Sequence, residues 1–86
     1  MVAAPGKADA LALALTALAQ AVRNLPGEPG VEIVRDCDDA GHFVFRETWP
    51  SIEAHKGTAG LLGKELMGPV MAALGQPPQA GYFAAM

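Results

Sequence analysis

The run His42-Phe43-Val44-Phe45-Arg46-Glu47-Thr48-Trp49 follows the turn Asp38-Asp39-Ala40-Gly41 and reads as a strand ending in a functional corner. Phe43, Phe45, Glu47 and Trp49 share one parity, so a period of two sends a carboxylate and an indole N–H to the same face as two phenyl rings. Polar groups aimed at an apolar layer need partners or a ligand. Val44, Arg46 and Thr48 take the opposite face.

The rest of the chain must supply the layer that this strand packs against. Leu11, Leu15, Leu18, Val22 and Leu25 fall at helical spacing, which predicts a one-sided helix after the Pro5-Gly6 turn, with Asp9 in its first turn and an end before Pro26-Gly27. Val31-Glu32-Ile33-Val34-Arg35 is rich in β-branched residues, and the Asp/Gly cluster at 36–41 joins it to the 42–49 run as a hairpin. Pro50 breaks the strand, Ser51 caps a short helical turn through His55, and Gly57 ends it. Thr58 is the expected cap of a further helix bearing Leu62, Leu66, Val70 and Leu74, with Met67 and Met71 alongside. Pro69 predicts a kink or break near 66–68. Gly75 with Pro77-Pro78 closes that helix, and Gly81-Tyr82-Phe83-Ala84 is expected as a short final strand. With Val2-Ala3-Ala4 as an opening stub, the order becomes the βαββαβ unit of ferredoxin-like domains, an α+β fold with an antiparallel sheet.

Eighty-six residues, 51% of them apolar, suit one domain over residues 1–86 with one core. A domain this small often gains burial by association, and a homodimer is expected. The net charge of −3 comes from interspersed acids and bases without a basic stripe, so nucleic acid is not an expected partner. Cys37 is alone, which excludes an internal disulfide and fits a reducing, cytoplasmic setting. Lys7, the following Ala/Leu run and Ala19-Gln20-Ala21 imitate a signal peptide, but Asp9 and the helical periodicity assign the segment to the core. It is too short and interrupted to span a bilayer.

In their order and spacing, Pro5-Gly6-Lys7, Pro26-Gly27, Glu32, Arg35-Asp36, Asp39-x-Gly41, Phe43-x-Phe45-x-Glu47-x-Trp49 and His55 resemble the antibiotic biosynthesis monooxygenase family, a group of ferredoxin-like proteins that form dimeric α/β barrels. The resemblance covers nearly the whole chain. It implies a homodimer with sheets packed face to face and oxygenase chemistry that needs no metal or flavin cofactor. Two departures stand out. Most members have a longer opening strand, which is central in the ferredoxin-like order, so either the stub pairs briefly or a partner subunit fills the gap. The haem-degrading members carry an Asn on that strand, and none is present here. Many members also place a second His after a Thr-Pro pair, where this chain has Thr58-Ala59-Gly60.

Oxygenation without a cofactor requires the substrate to donate its own electrons, which a phenol or hydroquinone does once deprotonated. The site must then supply a base, a donor for the oxyanion and dry walls. His55 is the candidate base, Trp49 N–H the candidate donor, and Phe43, Phe45, Leu62, Met67 and Met71 the candidate walls for a small aromatic or quinol ligand. Glu47 could orient His55 or bond to Trp49. Duller roles compete with each of these: a solvated His, an indole bonded to a backbone carbonyl, Met residues as gap fillers and a structurally paired carboxylate. The rival to the enzyme is a non-catalytic small-molecule-binding or stress-associated dimer, and a purely structural dimeric module is the third reading. His42 and His55 lack metal-site spacing, the glycines form no phosphate loop, and Ser51, the sole serine, is explained by capping.

Overall fold

A computed structural model describes residues 1–58 and 60–86. Its elements run α1 (Ala8–Arg23), β1 (Gly30–Arg35), β2 (Phe43–Thr48), α2 (Ile52–Lys56) and α3 (Lys64–Ala73). The two strands form an antiparallel hairpin in which Val31 faces Glu47, Ile33 faces Phe45 and Arg35 faces Phe43. The expected parity holds. Phe43 is buried and Phe45 and Glu47 are half-buried, while Val44, Arg46 and Thr48 are exposed.

Helix α1 buries Leu11, Leu15, Leu18 and Val22, the residues whose spacing predicted it, against Phe43 and the α3 residues Val70 and Ala73. Asp9 lies in its first turn and Arg23 in its last, matching the sign of the helix dipole at each end. The Arg23 guanidinium also donates to the Val31 carbonyl at 3.1 Å, tying the helix end to β1. The helix stops two residues earlier than its apolar stripe, and Leu25 packs on the core from the loop that follows. Asx turns order the hairpin connection: Asp38 N–H donates to Asp36 Oδ1 at 2.8 Å and Gly41 N–H to Asp39 Oδ1 at 3.0 Å.

The opening stub does pair, briefly and on both sides. Val2 bridges His42 and Ala3 bridges Leu74, both antiparallel. Phe43 N–H donates to the Met1 carbonyl at 2.8 Å, Ala4 N–H to the Ala73 carbonyl at 2.9 Å and Gly75 N–H to the Val2 carbonyl at 2.8 Å. This places the stub between β2 and the chain after α3, which is the central position of a ferredoxin-like first strand. The fold is therefore α+β of the ferredoxin-like type with a shortened first strand, and the single chain does not close a barrel.

Three expectations are corrected. Thr58 does not cap α3: its hydroxyl donates to the His55 carbonyl at 2.7 Å, closing the end of α2, and the cap of α3 is Gly63. Leu62 therefore precedes the helix instead of lying on it; the part of that expectation falling on Ala59 lies outside the described residues. Pro69 does not break α3, which runs through it from Lys64 to Ala73. The carbonyl left without its donor there belongs to Glu65, an exposed residue whose backbone water can reach. Finally, residues 81–84 form no strand, since the edge of the stub that such a strand would need is taken by Leu74.

Candidate functional site

At its far end β2 delivers Phe45 and Glu47 to one side, and Trp49 continues the same parity just beyond the strand. Ser51 then starts α2, accepting the Ala54 N–H at 3.0 Å, and one helical turn places His55 beside the indole. The Trp49 and His55 rings meet edge to face with centroids 5.3 Å apart. Behind the indole lies the Gly27 turn, where φ is +99° and a Cβ would stand 3.4 Å from the ring. Glycine suits that backbone, and it leaves the ring a flat surface to lie against.

These residues border an open, mostly apolar cleft of about 440 Å³ between the hairpin, the end of α1 and the start of α3. Of the residues singled out by sequence, Phe45, Glu47, Trp49, His55, Leu62 and Met67 line it. Two do not. Phe43 is only 3% exposed and belongs to the core under α1, because the Met1 segment and α3 close over that end of the strand. Met71 is 52% exposed, because α3 turns Leu66, Met67, Val70, Ala73 and Leu74 inward and leaves it at the boundary.

Glu47 has its partner within the chain. Trp49 Nε1–H donates to Glu47 Oε1 at 3.0 Å, one of the two arrangements expected for this carboxylate. The indole N–H expected to face a substrate oxyanion is thus committed to Glu47. His55 in turn is joined by a residue the sequence reading placed in a strand: Tyr82 Oη lies 2.7 Å from His55 Nδ1, with the rings edge to face at 5.4 Å. The ammonium of Lys56 sits 6.0 Å from the centre of the Tyr82 ring. The only signal for Tyr82 in the sequence is a lone phenol in a tail of small residues. Nothing local links it to His55.

The antibiotic biosynthesis monooxygenase family model matches residues 1–59. The chain belongs to that family. No curated protein and no solved structure matches it. The match takes in Glu47, Trp49 and His55 and ends before α3 and Tyr82. Membership brings a monooxygenase-like, small-molecule-binding fold. Among the described residues, no three His, Cys, Asp or Glu side chains cluster as metal ligands, and no helix is long and apolar enough to cross a membrane.

Proposed function

We propose that this single-domain protein is a monooxygenase without metal or flavin, acting on a small phenol or hydroquinone held in the cleft. The observation that carries the reading is the convergence of Glu47, Trp49 and His55, from strand, strand end and helix, on one apolar hollow. A phenol and dioxygen give a quinone and water with no external reductant, so the protein has only to remove a proton, stabilise the anion and hold the ring. His55 is the base. Phe45, Leu62 and Met67 are walls, and Trp49, held upright by Glu47, is the flat face against which the ring lies. With the indole N–H bound to Glu47, Lys56, which also borders the cleft, supplies positive charge for the phenolate.

Members of the family are typically dimers, and we extend that to this chain. The outer face of the hairpin fits the role. It exposes Val34 and Val44 beside the Glu32–Arg46 ion pair. Sedimentation over a range of concentrations checks this, and a monomer at micromolar concentration contradicts it.

Oxygen uptake with a panel of hydroquinones, in the parent and in His55→Ala, tests the reaction. Loss of a positioned base lowers the rate by about 10²–10⁴. Equal uptake in both proteins removes His55 from the mechanism, and no uptake in the parent leaves the second reading, a small-molecule binder. The committed indole N–H favours that second reading.

A further inference from the structure

We infer that Tyr82 is an internal occupant of the candidate site, and that para-substituted phenols bind by displacing it from His55. The inference rests on the proposed function for the identity of the pocket, and adds that this chain carries its own competitor. The C-terminal segment has neither helix nor strand beyond Gly75, and every residue from 75 to 86 is exposed. Among the described residues, its last backbone hydrogen bond to the body of the protein is that of Gly75 N–H to Val2. Its Tyr82 side chain nevertheless reaches back 27 residues, sets its hydroxyl 2.7 Å from His55 Nδ1 and forms part of the cleft lining. The neighbouring Phe83 points away and is 96% exposed, so the tail is not drawn in by general apolar burial. What borders the cleft is the phenol, half exposed at its mouth.

A para-alkyl phenol entering hydroxyl first would meet the same set of groups: the imidazole nitrogen ahead, the Trp49 edge beyond it and the Lys56 ammonium above the ring. The two phenols need the same nitrogen, so their binding is mutually exclusive. Among the described residues the Tyr82 side chain is held by one exposed hydrogen bond and two ring contacts, a hold worth a factor of about 10 in an equilibrium constant, so a ligand of modest affinity displaces it.

The probe is p-cresol, the tyrosine side chain itself, titrated into the 86-residue chain and followed by NMR. Trp49 is the sole tryptophan, so its indole N–H gives one resolved signal inside the cleft. Tyr82→Ala is expected to bind p-cresol about tenfold more tightly than the parent, and Tyr82→Phe, which keeps the ring and loses the hydroxyl, to fall between them. Without ligand, the His55 ring signals of the parent and Tyr82→Ala are expected to differ, reporting the docked tail. Equal p-cresol affinity in parent and Tyr82→Ala overturns the inference. So does weaker binding by the variant, which makes Tyr82 part of the ligand's seat, and so does the absence of binding in all three proteins. Oxygen uptake is measured separately: uptake with unchanged affinities sinks the competitor and spares the oxygenase, whereas competition without uptake does the reverse.

Discussion

The two ends of β2 have the same parity and the same apolar chemistry, yet one is core and the other is cleft. At the Phe43 end the strand is flanked by β1 on one side and by Met1 on the other, and α1 and α3 close over it. At the Glu47–Trp49 end the ring-bearing face meets α2, the loop before α3 and the tail instead. The difference teaches that what lies over a face, and not its apolar residues alone, decides between core and hollow. A face that no helix closes over is left open to a ligand.

The largest expected effect breaks the comparison most directly. Phe43→Ala should cost about 3–5 kcal/mol in urea denaturation, and Phe45→Ala about half of that, since its ring is only half-buried. Equal losses would mean that the two ends are packed alike. Gly27→Ala should come next, at about 1–2 kcal/mol, because its φ of +99° is one that a side chain opposes. A change in the near-ultraviolet circular dichroism of Trp49 should accompany it.

Glu47→Ala should cost about 1 kcal/mol and shift the indole N–H resonance, whereas Glu47→Gln, which keeps an acceptor oxygen, should change stability by less than about 0.5 kcal/mol. If both variants match the parent, the carboxylate does not hold the indole. The smallest effect lies at the hairpin turn beyond the closed end. The Asp38 N–H, followed by the His42 side chain 3.2 Å away, holds the Asp36 carboxyl below its ordinary value of 3.8. A carboxyl depressed by folding stabilises the native state above its unfolded value, and that contribution is lost as the pH falls below 3.8 and through the folded value. Urea denaturation across the acidic range should therefore show a shallower acid limb for Asp36→Asn than for the parent. Superimposable limbs would mean that the turn adds nothing.

Most of the fold was legible in the sequence because its signals are local. The Leu11–Val22 spacing, the Asp/Gly turn, the Ser51 cap and the Phe43-to-Trp49 parity each act within a few residues, and each is found where it was expected. The open end was legible only in part. Glu47, Trp49 and His55 converge because a strand, a proline stop and one helical turn follow in quick succession. The start of α3 was misplaced because Thr58 answers to His55 behind it, not to a helix ahead. Leu62 reaches the cleft from a loop and Met71 misses it from a helix, and both outcomes depend on where that helix begins. Tyr82 was out of reach altogether. Its position follows from a contact across most of an element and a loop, and no periodicity encodes that.

Met1 and Tyr82 both border the cleft, from opposite sides of the sequence. A label or added peptide attached beside either residue would crowd the hollow and compete with whatever is being titrated. Ligand measurements therefore call for protein left unmodified at both places.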